Sequence, residues 1–253
     1  CDRRQRQMCI RDRPNAYPSL LYNAMVSPLV GLSMRGVIWY QGENNTNRAK
    51  EYYHLFPAMI NDWRKKWGKD FPFYWVQLAN YMDAVEVPSE SLWAQVREAQ
   101  TQTLSLPHTG QAVIIDIGEA KDIHPKNKQE VGRRLALHAL HNDYGFSDVV
   151  CESPMPKTVR RVQDKIVVQF DNVADGLIVK NKYGYLMSFA VAGTDGVYKW
   201  VQAKVAGKDR VVLSCPDVIV PVSVRYAWGD NPDDANLYNS VGLPATPFEI
   251  KIE

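Results

Sequence analysis

The period of the apolar residues changes near residue 150, and that change limits the fold more than any other feature. Before it, apolar strands alternate with helical segments. "RGVIWY" (35–40) reads as a buried strand, and Tyr52, Phe56, Met59, Ile60, Trp63 and Trp67 then recur at helical spacing. Pro57 falls inside that helical stretch, where it either kinks the helix or starts a second one. "FPFYWVQLA" (71–79) and "QAVIIDIG" (111–118) read as further strands, with the helical "SLWAQVREAQTQTL" (91–104) between them. A helix over 126–145 follows, with Gly145 as its stop. Strand–helix alternation predicts a parallel sheet with helices on both faces.

After residue 150 the pattern becomes short strands of period two, with Ile166, Val168 and Phe170 on one face of "KIVVQF". Five further short apolar runs follow, separated by Gly, Asp, Asn and Lys turns. This predicts an antiparallel β-sandwich. The two prolines of "CESPMPK" (151–157) disfavour regular structure and mark the boundary. The expected units are a foreign or unstructured stub at 1–13, an α/β domain at 14–150 and a β-sandwich domain at 151–253.

Composition excludes some function classes. The stub holds five Arg and two Asp; without it the chain has 25 basic and 26 acidic residues. A near-neutral body carries no nucleic-acid footprint. No run of about 18 apolar residues occurs, so no membrane insertion is expected. The four cysteines, Cys1, Cys9, Cys151 and Cys215, form no C-x-x-C pair. No metal site or other cofactor is therefore expected. Cys151 and Cys215 either pair in an exported protein or stay as separate, half-buried thiols.

Two strand exits carry polar residues that can do chemistry. In open parallel sheets, ligands bind outside the carboxyl ends of the strands. In "WYQGEN" (39–44), Gly42 permits a tight turn, while Gln41 and Asn44 offer side-chain N–H donors suited to an oxyanion. The plainer alternative is a polar turn whose amides satisfy loop backbone. In "DIGEAKDIHPKNK" (116–128), His124 lies two residues after Asp122 and just before Pro125. An Asp beside a His holds one imidazole tautomer, which makes a general base for a hydroxyl nucleophile. Here the alternative is a helix N-terminus capped by Asp122. His54, His138 and His141 sit in helical patterns as surface or packing residues, and His108 sits in a turn. Together the two exits suggest acyl transfer, but no G-x-S-x-G nucleophile motif occurs.

Four stretches, "RGVIWYQGENN", "WAQVREAQ", "DIHPKNKQEVGRRLA" and "VRYAWGDNPDDANLYNSVGLPATPF", resemble the sialate O-acetylesterase family of SGNH-type (GDSL-like) esterases. The resemblance runs from Pro14 to Glu253 and implies a flavodoxin-like parallel sheet. It implies removal of acetyl groups from sialic acid or related sugars, without a metal. Acetylated polysaccharide such as xylan, or sugar binding without catalysis, are the alternatives. The family's serine sits in a Gly-Gln-Ser-Asn motif upstream of "WYQGE", and no such motif occurs here. The chain then reads as the C-terminal portion of a longer esterase, inactive alone, whose full-length form works in the periplasm or outside the cell. The resemblance makes His124 the base and Asp122 its acid, with Asp116 in reserve because the spacing is Asp-x-His. It places the oxyanion hole at Gln41, Gly42 and Asn44, with Glu43 and Tyr40 as substrate contacts. Trp228, Tyr238 and the Asp/Asn cluster around them either touch sugar or form a structural corner.

Overall fold

The computed structural model describes residue 17 and residues 19–252. The stub at 1–13, with Cys1 and Cys9, lies outside them. Three parallel strands, β1 (Val37–Trp39), β2 (Phe73–Val76) and β3 (Thr109–Ala112), form a sheet in the order β1-β2-β3. Three helices cover it: α1 (Ala49–Trp67), α2 (Leu92–Gln102) and α3 (Lys128–Asp143).

Alternation along β2 explains why helices sit on both faces. Phe73 and Trp75 point to one side, where they pack with Tyr52, Phe56 and Ile60 of α1 and with Trp93, Val96 and Ala99 of α2. Tyr74 and Val76 point to the other side and meet Val131 and Leu135 of α3. Pro57 neither ends nor divides α1, which runs through it. Its missing N–H costs one intrahelical bond, which the buried row of Tyr52, Phe56 and Ile60 outweighs. β1 is less buried than its composition suggests: Ile38 is 71% exposed. β1 forms the sheet edge, and Ile38 pairs with Tyr74 on the side where α3 packs against β2 and β3.

From Met155 the chain is antiparallel. One sheet runs β4 (Met155–Val162), β5 (Lys165–Asp171), β10 (Arg210–Ser214), β9 (Gln202–Ala206) in that spatial order. The other runs β13 (Phe248–Lys251), β11 (Pro221–Tyr226), β7 (Phe189–Gly193), β8 (Tyr198–Trp200). β12 (Leu237–Asn239) and β6 (Leu177–Val179) form a short ribbon. Ile166, Val168 and Phe170 from the first sheet and Phe189, Val191, Val224, Tyr226 and Phe248 from the second share one core. Residues 151–154 are irregular, as the prolines suggest, but the irregular stretch ends at Met155, where β4 begins. Pro156 lies within β4, at a bulge between Pro156 and Thr158. β4 is an edge strand, and an edge or bulge tolerates a residue without an N–H. Cys151 and Cys215 are free and buried.

The two halves join through their buried polar groups. Val113 and Ile115, just past β3, pack into the β-rich core. Asp116 accepts two bonds from the Arg134 guanidinium, at 2.6 and 2.9 Å, and a third from Tyr238 Oη at 3.3 Å. Arg134 Nε also donates to Glu130 at 2.8 Å, and Arg133 donates to the same carboxylate. Tyr238 is thus tied into the junction between the two halves. Asn231 likewise accepts from Asn80 and donates to Met82 O, and Asp230 accepts from Ser91 Oγ.

The Glu130 carboxyl is held down at about 2, first by its hydrogen bond with Arg133 and then by Arg134. Its folded value lies below the ordinary one, so the stability it adds is present at neutral pH. That stability is lost as pH falls through the ordinary carboxylate range toward 2. Glu130→Gln should cost about 1 kcal/mol at pH 7, the partial exposure being allowed for. Urea melts should show the gap from wild type closing on acidification; a gap independent of pH would contradict the ion-pair account.

Candidate active site

The exit of β1 is built around Gly42. Its φ of 154° is one L side chains rarely adopt, and a Cβ there would lie 3.1 Å from both Gln100 Nε2 and Leu78 Cδ2. The turn passes directly into a 3₁₀ helix over Glu43–Arg48. Gln41 is held on three sides. Tyr52 Oη lies 3.2 Å from its Oε1, its own Nε2 donates to Asn45 Oδ1 at 2.7 Å, and Gln100 Nε2 donates to its backbone carbonyl at 3.2 Å. Burial pushes the Tyr52 phenol up to about 12, so it remains a donor. One Gln41 amide proton is left uncommitted. The Asn44 carboxamide makes no hydrogen bond to another described residue.

The exit of β3 carries His124. Asp122 Oδ1 accepts from the His124 backbone N–H at 2.9 Å and lies 3.5 Å from His124 Nδ1. That leaves Nε2 directed away from the acid. The imidazole is 85% exposed. The Asp122 carboxyl is lowered from its ordinary value, first by the His124 amide and then by the charges of His124 and Lys126. Asp122 does not cap α3; Asn127 does, accepting from Glu130 N at 3.1 Å. The loop is anchored at its start, where Gly118 N donates to Asn80 Oδ1 at 2.7 Å. Asp116, already engaged by Arg134 and Tyr238, has no contact with His124.

The two exits meet. Tyr40, Gln41, Glu43, Asn44, Ile123, His124, Pro125 and Lys128 line one open cavity of about 380 Å³. Tyr40 and Glu43 thus line the same cavity as His124. Burial, then the Glu43 charge, raises the Tyr40 phenol to about 12. Lys128 was not legible as a site residue. It is the first residue of α3, and its ammonium lies 4.7 Å from the centre of the Tyr40 ring. Its spacing of four from His124 was the available signal. Serine and cysteine are absent from the cavity lining among the described residues.

Comparison with known proteins bears on the family. Residues 9–141 match the model of the carbohydrate esterase family of sialic acid-specific acetylesterases. The chain is 31% identical to the sialate O-acetylesterases of Homo sapiens and Mus musculus, over 91% and 92% of its own length. It spans about half the length of these relatives, 48% and 47%. A crystal structure of a carbohydrate acetylesterase from Xanthomonas citri superposes with a TM-score of 0.88 at 44% identity, covering 96% of this chain and 56% of that one. By the family match over more than half its length, this chain belongs to the carbohydrate esterase family of sialic acid-specific acetylesterases.

Proposed function

We propose that this chain supplies the base, its orienting acid and the oxyanion donors of an enzyme that removes O-acetyl groups from sialic acid or a related sugar. The single observation that carries this reading is the meeting of the two strand exits in one cavity. His124 Nε2 takes the proton of a serine hydroxyl as that oxygen attacks the acetyl carbonyl. Asp122 holds Nδ1 protonated and stabilises the imidazolium that forms. Its 3.5 Å separation from Nδ1 is of the kind that tightens once substrate is bound. The uncommitted amide proton of Gln41 or the carboxamide of Asn44 meets the oxyanion. Gln41 is the better candidate, because Tyr52 and Asn45 fix it before the reaction and a preorganised donor needs no reorganisation. Glu43, Tyr40 and Lys128 contact the sugar.

The serine comes from outside the described residues. We take 14–150 as part of an SGNH hydrolase domain, 151–253 as a C-terminal β-sandwich domain, and 1–13 as a stub. We place the working enzyme in the periplasm or outside the cell. Among the described residues, no helix is long and apolar enough to cross a membrane.

The purified chain should release no nitrophenol from nitrophenyl acetate above background. Turnover abolished by His124→Ala would show that the chain holds its own nucleophile.

In an active enzyme with the serine supplied, Gln41→Ala should lower kcat roughly 10²- to 10³-fold, with Asn44→Ala losing far less. If neither variant loses tenfold, the loop is structural or only touches substrate. Asp122→Asn should lower kcat by more than about tenfold, because the tautomer is no longer fixed. A silent Asp122→Asn beside an inactive, folded Asp116→Asn would move the acid role to Asp116.

A further inference from the structure

His138 of α3 is completely buried, between β3 and the Tyr74 ring, which stacks on it at 5.5 Å between centres. Its Nε2 lies 3.0 Å from the Gln111 carbonyl oxygen. A carbonyl only accepts, so Nε2 carries the proton and Nδ1 carries the lone pair. Nδ1 is buried and has no hydrogen-bond partner. The ring packs tightly on Gly110, where an added Cβ would lie 2.5 Å from Nδ1.

What Nδ1 faces makes this orphan informative. The Glu152 carboxylate oxygen lies 3.6 Å away, and Nδ1, Cys151 Sγ and that carboxylate all fall within 4.8 Å of one another. In the neutral ring the Nδ1 lone pair and the carboxylate oxygen oppose each other across a partly buried gap, and they repel unless a proton or a metal cation lies between them. We propose that His138 Nδ1, Cys151 Sγ and the Glu152 carboxylate form a binding site for a zinc-like divalent cation. Nitrogen, thiolate and carboxylate together select such an ion over magnesium or calcium. Around tetrahedral zinc, neighbouring ligand atoms lie roughly 3.2–3.8 Å apart, within about an ångström of the spacing found here. Glu152 reaches solvent, its side chain 39% exposed, which gives the ion an entry path and a water as fourth ligand. Coordination forms the S–metal bond and releases the Cys151 thiol proton to solvent. The site shares no residue with the His124 cavity. It fastens the segment between α3 and β4 to α3, which is a structural role. Sequence spacing hides it, because the His lies on a helix and the other two ligands follow in the connection.

The test uses the full chain with Cys1→Ser, Cys9→Ser and Cys215→Ser, which leaves Cys151 as the only thiol. Cobalt(II) is titrated in, then displaced by zinc(II). One cobalt per chain should bind with a thiolate-to-cobalt charge-transfer band, and zinc should abolish the band. Cys151→Ser should remove it. Glu152→Gln, at a partly exposed position that tolerates change, should weaken binding at least about tenfold, since even outer-shell changes cost that much. Absence of the band in the folded triple variant, or a band whose affinity Glu152→Gln leaves unchanged, overturns the proposal. The Glu152 arm decides the matter even if Cys151→Ser fails to fold.

Discussion

The Arg97 guanidinium is the interaction on which the rest of the structure depends. It is fully buried, and it donates to four backbone carbonyls: Leu78 at 2.8 Å, Ala79 at 2.7 Å, Gly229 at 2.6 Å and Asp230 at 2.9 Å. The first two carbonyls open the loop leaving β2, and the last two belong to the corner after β11. Burial lowers Arg97 to about 9, and the Asp230 charge offsets part of that. A buried charge is tolerable only when its donors are filled, and the carbonyls gain partners that no strand or helix gives them. One side chain thereby satisfies irregular backbone from two sheets at once.

The site inherits this order. Leu78 N donates to Gln100 Oε1 at 3.0 Å, and Gln100 passes its amide to the Gln41 carbonyl. Arg97 and Gln100 lie one turn apart on α2, so the same helix face that joins the two regions also supports the β1 exit. On the opposite face of the sheet, Arg134 does comparable work for the β3 exit through Asp116 and Val113 O. The catalytic reading therefore rests on loops whose ends are fixed by buried arginines. The loop tips stay open, with His124 largely in solvent.

Much of this was legible in the sequence. The change from helical to period-two spacing gives both layers, and Ile166, Val168 and Phe170 fall inside as their alternation requires. The strand-exit rule picks out Gln41, Asn44 and His124, and they line one cavity. What was not legible shares one cause. Charge and polarity in a sequence do not reveal burial. "WAQVREAQ" reads as an ordinary helix, yet Arg97 and Gln100 are both completely buried. Ile38 reads as core and is exposed because of where β1 sits in the sheet order. Pro156 reads as a strand breaker, but an edge position with a bulge accommodates it.

One buried arginine holds both the junction and, through Gln100, the loop at the exit of β1. Hydrogen exchange on a folded Arg97→Met chain, compared with wild type, tests it most directly. The substitution leaves the Leu78 and Gly229 carbonyls without their donor, at a cost of roughly 1–3 kcal/mol each, while Ala79 O keeps Trp93 Nε1 and Asp230 O keeps Tyr81 N. Faster exchange should appear at 78–82 and 229–231, and also at 41–45, which Arg97 does not touch. Exchange that quickens only at 229–231, with 41–45 protected as in wild type, would contradict the account.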